Sequence, residues 1–171
     1  TVIAAILRPW QGVLSAVSGH INCHEAGAIE FGGHKVLTLP QENGKLTASQ
    51  IRALLDQYED DVNRDHTVMP GMVYLSQPTE YGTLYSKKEL AAISALCREK
   101  RLPLYIDGAR LAYALACPEN DVTLRDLAAA FGEERRLSLS RELTKLHEQT
   151  LRMTLGEAMR YFDENPPRGE F

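Results

Sequence analysis

Short apolar runs alternate along this chain with longer stretches in which apolar residues return every third or fourth position. The runs at residues 12–17, 35–39, 72–76, 102–106 and 137–140 are rich in Val, Leu, Ile and Tyr and are bounded by Gly or Pro, so they predict strands. Three helix starts are marked by a hydroxyl followed three residues later by Glu or Gln. These are Thr47 with Gln50, Ser86 with Glu89, and Thr154 with Glu157. The helix after Thr47 carries Ile51, Leu54, Leu55 and Tyr58 on one stripe, and the helix after Ser86 carries Leu90, Ile93, Leu96 and Cys97. Asn43-Gly44 predicts a turn, and residues 60–66 read as a polar loop. Residues 1–7 are apolar with no start signal, which reads as a helix entered in its middle and a chain beginning partway through a domain. Strands alternating with helices predict an α/β fold, a mainly parallel sheet flanked by helices. Ligands on such sheets sit at the carboxyl ends of the strands.

Composition narrows this only a little. With 44% hydrophobic and 25% charged residues, the 171-residue chain has the make-up of a soluble globular protein with a real core. A net charge of −4 gives no reason to expect a nucleic acid or a membrane surface as partner. No apolar run approaches the roughly 18 residues of a membrane helix. Cys23, Cys97 and Cys117 are too scattered for a disulfide framework, and they predict free thiols in a reducing cytoplasm.

Candidate chemistry gathers in three segments. In Leu102-Pro-Leu-Tyr-Ile-Asp107-Gly-Ala-Arg110 an apolar strand ends in an acid, a glycine, a small residue and an arginine. Asp107 there can hold the ring nitrogen of a cofactor such as pyridoxal phosphate in its protonated state, and Arg110 can clamp a carboxylate. Equally, Asp107 can be a helix cap and Arg110 a surface ion-pair partner. The second segment, Gly19-His20-Ile-Asn-Cys23-His24-Glu25, places two histidines four apart, on one face if the segment is helical. Tetrahedral zinc needs further ligands that no second Cys/His pair supplies. His20 can instead stack on a cofactor ring, or both histidines can be incidental. The third segment, Gln77-Pro-Thr79-Glu80-Tyr81-Gly82-Thr83, is a polar loop after a strand, which is either a binding loop or an ordinary turn.

Taken in order, these segments resemble a known family. Gly19-His20-Ile with Glu25-Ala-Gly-Ala, Gly33-His34-Lys35-Val36-Leu37, Gln77-Pro78-Thr79-Glu80-Tyr81-Gly82-Thr83-Leu84-Tyr85 and Asp107-Gly108-Ala109-Arg110-Leu111 are similar to motifs of the threonine aldolase and aromatic amino-acid β-eliminating lyase family. The resemblance covers residue 1 to about residue 129. It implies a fold-type-I pyridoxal-phosphate enzyme acting on an amino acid by Cα–Cβ cleavage or β-elimination, built as a homo-oligomer. It further implies that His20 stacks on the cofactor, that Asp107 holds its ring nitrogen, and that Arg110 binds the substrate carboxylate or a cofactor oxygen. Thr79 and Glu80 are implied to face the substrate. Glu80 departs from the histidine that many threonine aldolases carry at that place. The family's phosphate-binding loop is expected upstream of residue 1. Its Schiff-base lysine, expected some thirty residues after Asp107 in a Gly-Thr-Lys setting, has no counterpart here. Lys145 is the only lysine after Asp107, and its neighbours are Arg141, Glu142, Leu143 and Thr144.

Those neighbours belong to a second resemblance. The stretch from Phe131, with Arg141-Glu142-Leu143-Thr144-Lys145, Thr154-Leu-Gly-Glu157 and Pro166-Pro-Arg-Gly-Glu-Phe171, resembles the C-terminal domain of ribosomal RNA ribose methyltransferases of the tetrapyrrole-methylase superfamily. The sequence thus predicts two parts, a partial lyase domain over residues 1–129 and a methyltransferase-like segment over residues 130–171. They are joined as a chimera that is inactive alone. The alternative is a non-enzymatic α/β protein completed by recombination. Arg135, Arg136, Arg141, Lys145 and His147 could form an RNA-binding face, although such runs are more often solvated surface.

Overall fold

The parallel sheet is present, built of four short strands. The computed structural model describes residues 2–130. It divides the chain into two compact units, Thr1–Val122 and Thr123–Phe171. In the first unit the strands are β1 (Gln11–Ala16), β2 (Val36–Leu39), β3 (Met69–Ser76) and β4 (Leu104–Asp107). They lie in the order β2-β1-β3-β4, every pair parallel. Helices α1 (Val2–Ile6), α2 (His20–Cys23), α3 (Ala28–Phe31), α4 (Ala48–Asp60), α5 (Lys87–Glu99) and α6 (Leu111–Ala116) connect or flank them.

Side chains alternate across a strand, so each face of the sheet needs its own cover. On one face Val13, Val36, Met72 and Tyr74 form a buried cluster with Ile3, Leu7 and Ile21, drawn from the first helix, its end, and α2. The alternation turns Leu14, Val73, Leu75 and Leu104, all buried, to the other side. Helix α4 brings Ile51 and Leu55 to the core, and α5 brings Leu90, Ile93, Leu96 and Cys97.

Both expected helix starts within the described residues are capping boxes in full. Thr47 Oγ1 accepts from Gln50 N while the Gln50 side chain accepts from Thr47 N, and Ser86 and Glu89 do the same. Glu89 is ionised below its ordinary range: burial opposes this, but hydrogen bonds from Lys45 and Ser86 outweigh it. Thr47→Ala is expected to cost about 1 kcal/mol of stability, read as a shift in the urea midpoint at unchanged slope. The expected Thr154 helix and the expected strand at 137–140 lie outside the described residues.

Several boundaries differ from expectation for local reasons. Strand β3 starts at Met69 despite Pro70, because Met69 N donates to Trp10 O across the sheet and the register shifts between Gly12 and Val13. Strand β4 starts at Leu104, since Pro103 has no N–H to give, and runs on to Asp107, whose carbonyl accepts from Gln77 N. The predicted polar loop at 60–66 holds the last residue of α4 and a 3-10 turn, Arg64–His66. Helix α6 had no sequence signal, since Arg110 precedes it and makes no side-chain cap.

The Asn43-Gly44 turn is tight, with both residues at positive φ, 51° and 81°, where glycine and asparagine are the tolerated types. A bridge between Glu42 and Lys45 closes it. Its outer surface meets the loop after β3. The Thr83 hydroxyl donates to Asn43 O, Lys45 Nζ donates to Leu84 O and pairs with Glu89, and Leu46 N donates to the Tyr85 hydroxyl. In the second unit, α7 (Leu124–Ala130) opens on a reciprocal cap between Thr123 and Asp126. No helix among the described residues is long and apolar enough to cross a membrane.

Candidate functional site

Parallel pairing of β3 with β4 sets Ser76 beside Asp107 and Tyr74 beside Tyr105, all on one face. The apolar cluster on that face therefore gives way to polar groups at the carboxyl end of the strands. Tyr74 is buried, and its hydroxyl donates to Asp107 Oδ2 at 2.6 Å. Burial first, and then that hydrogen bond, raise the Tyr74 phenol well above its ordinary pKa. Its ring stacks on Tyr105 at 5.1 Å. The other Asp107 oxygen accepts from Ala109 N at 2.9 Å. Two bonds leave lone pairs on both oxygens.

The end of β1 delivers His20 through the turn at Ser18 and Gly19. A Cβ on Gly19 would collide with Ser15 Oγ and come within 2.9 Å of Ala16 O, so only glycine lets the chain fold back so closely. Among the described residues, Ser18 Oγ is buried there without a hydrogen-bond partner. His20 Nδ1 is bonded to Glu25 Oε1 at 2.7 Å, and its ring lies 5.0 Å from that of His24. Helix α2 stops at Cys23 and is too short to present a ligand face, and Cys23 Sγ donates to Val17 O. Among the described residues no three His, Cys, Asp or Glu side chains are grouped to hold a metal ion.

Glu80 lies between these elements. Its Oε1 accepts from His20 N at 3.0 Å and from Ser76 Oγ at 2.6 Å, and Arg110 Nη2 stands 3.9 Å away. The fold thus brings His20, Glu80 and Arg110 together around one oxygen, with Asp107 next to Ser76. Thr79 is not in that group. It is buried, and its hydroxyl bonds to Thr83 Oγ1 and accepts from Tyr81 N and Thr83 N inside its own loop. Tyr74, Ser76 and Glu25 carry much of this geometry, yet the sequence assigns a role to none of them, although Glu25 stands in one of its motifs. Tyr74 reads there as one more core residue of an apolar strand.

The residues present fit pyridoxal phosphate by the chemistry of their donors and acceptors. Asp107 has lone pairs free for a protonated ring nitrogen. His20 is 37% exposed and is held at one edge nitrogen, which leaves a ring face accessible. Arg110 is 43% exposed, and at 3.9 Å from Glu80 its planar fork is not engaged in a short bond there.

A family model described as β-eliminating lyase matches residues 1–164. The chain belongs to the β-eliminating lyase family. Among its relatives, the low specificity L-threonine aldolase of Pseudomonas aeruginosa is 40% identical over 116 residues, 67% of this chain and 32% of that protein. The solved threonine aldolase of Leishmania major superposes with a TM-score of 0.71 at 48% identity, covering 76% of this chain and 37% of that one. This lyase-family chain therefore spans about a third of the length of the curated aldolases it matches. A separate similarity, 57% identity over 49 residues, links 29% of the chain to 18% of the ribosomal RNA small subunit methyltransferase I of Synechocystis.

Proposed function

We propose that this chain forms the ring-holding part of a pyridoxal-phosphate site of the threonine aldolase type, and that it does not complete the reaction alone. The observation that carries the reading is the Asp107 carboxylate, held by Tyr74 and Ala109 at the strand end with lone pairs to spare. When bound, pyridoxal phosphate supplies an electron sink for the pair released from the Cα of an amino acid. Asp107 keeps a proton on the ring nitrogen, which is what makes the ring a sink. His20 would pack against the ring, its edge fixed by Glu25. Arg110 binds and orients a carboxylate through its two-pronged guanidinium. Thr79 shapes its loop, and it serves the substrate only through that loop.

Covalent attachment of the cofactor needs a lysine, and Lys145 is not that residue. It sits among Arg141, Glu142 and Leu143 and lacks the glycine-rich turn that would bring an amine to the ring. The amino-acid substrate, assembly of several copies across the edge strands β2 and β4, and a reducing cytoplasm for the three thiols complete the reading.

Equilibrium dialysis and absorbance titration of the full chain with pyridoxal phosphate test it. Asp107→Asn removes the charge facing the ring nitrogen and is expected to weaken binding by roughly tenfold or more, the worth of a charge-assisted hydrogen bond. Equal affinity in the variant and the parent, with only the melting temperature moved, would falsify the assignment.

A second reading is favoured by the 57% match to the methyltransferase. Under it the chain is a chimera whose junction falls near residue 129, and it has no chemistry of its own. It expects no saturable binding of pyridoxal phosphate in the same titration.

A further inference from the structure

The first N–H groups of a helix have no acceptor inside it, and a side chain just before the helix usually provides one. Helix α2 follows Gly19, which has no side chain and makes no such bond. The N–H of His20 goes instead to Glu80 Oε1, sixty residues along the chain, at 3.0 Å. The same oxygen takes the Ser76 hydroxyl at 2.6 Å, which fastens the carboxylate to the end of β3. The Glu80 side chain is only 9% exposed. A charge so far from water is costly unless donors and opposite charge meet it. Here two hydrogen bonds and the Arg110 guanidinium at 3.9 Å do so.

We propose that Glu80 is a positioning residue, a cap supplied from a distant loop that fixes α2 and with it the ring of His20. It acts through His20 and not by touching the substrate. The consequence for ligand binding rests on the pyridoxal-phosphate reading above. The cap itself does not. Glutamine at this position keeps a carbonyl acceptor for both donors and should retain the cap. Alanine removes it and leaves the His20 N–H without an acceptor.

The experiment is amide exchange by NMR on the full, unliganded chain. The His20 amide is compared with that of Ala109, which donates to Asp107 Oδ1 at 2.9 Å in the same site. In Glu80→Ala the His20 amide should exchange roughly tenfold faster or more, as for loss of a hydrogen bond to a charged acceptor, while Ala109 is unchanged. Glu80→Gln should restore most of the protection. Added pyridoxal phosphate should then bind roughly tenfold more weakly to Glu80→Ala and near the parent level to Glu80→Gln. Unchanged His20 exchange in Glu80→Ala, or equal acceleration at Ala109, overturns the proposal whatever the ligand does. If the alanine variant does not fold, Glu80→Asp replaces it. One methylene shorter, it must also expose the amide, and protection retained there overturns the cap. A parent that binds no pyridoxal phosphate, yet shows the expected exchange pattern, leaves the cap standing and removes the cofactor reading.

Discussion

Raised above pH 10, the chain will lose stability steadily and then unfold, with Tyr74 and Tyr85 staying protonated until it does. Both phenols lie well above their ordinary range, chiefly because burial disfavours the charged form, and in Tyr74 also because of the bond to Asp107. An unfolded tyrosine ionises near pH 10. A group whose folded pKa is raised contributes stability that is whole below its unfolded pKa and is lost as pH climbs toward the folded one. The window therefore opens at about pH 10 and closes above it. Acid is not expected to act through these residues. Absorbance at the phenolate band, followed with circular dichroism, should show part of the tyrosine signal appearing only with unfolding. Smooth titration of all seven tyrosines with the fold intact would refute it. Tyr85→Phe adds a check at neutral pH. It deprives the buried Leu46 N–H of its acceptor, 2.7 Å away, and should cost about 1–3 kcal/mol.

The second large effect is in the sheet. Leu14 is fully buried on the inner strand β1, with β2 and β3 on either side of it. Truncation to alanine removes apolar contact and leaves a cavity that flanking backbone cannot close. Leu14→Ala is expected to destabilise the chain by about 2–5 kcal/mol, measured by urea unfolding. A loss under 1 kcal/mol would mean that the helix side of the sheet is loosely packed.

How much of this was readable beforehand depends on how local each signal is. Thr47 with Gln50 and Ser86 with Glu89 were legible because a capping box is contained in four residues. The strand cores were legible because apolar runs bounded by breakers are local too. The role of Asp107 as a strand-end carboxylate followed from its place after Ile106. Its partner Tyr74 did not, because that pairing depends on the register between β3 and β4, thirty-three residues apart. Glu80 reads in the sequence as a polar loop residue and, by resemblance, as one facing the substrate; its bond to His20 is not legible there, since His20 and Arg110 come from other strand ends. Helix α6 escaped notice for lack of a cap, and the inward turn of Thr79 because its bonds run within a loop whose shape no pattern specifies.

The Asn43-Gly44 turn has a consequence for how this chain can change. It grips the loop after β3 at Thr83, Leu84 and Tyr85, behind and downstream of position 80, and Gly44 leaves room for Thr79 that a side chain would fill. The loop's backbone is thus held by residues that never reach the strand-end cluster. Position 80 can then exchange one acceptor-bearing side chain for another while the loop keeps its path. Such an arrangement lets a lineage, or a designer, vary the acceptor that holds His20 in a single substitution without first rebuilding the scaffold that carries it.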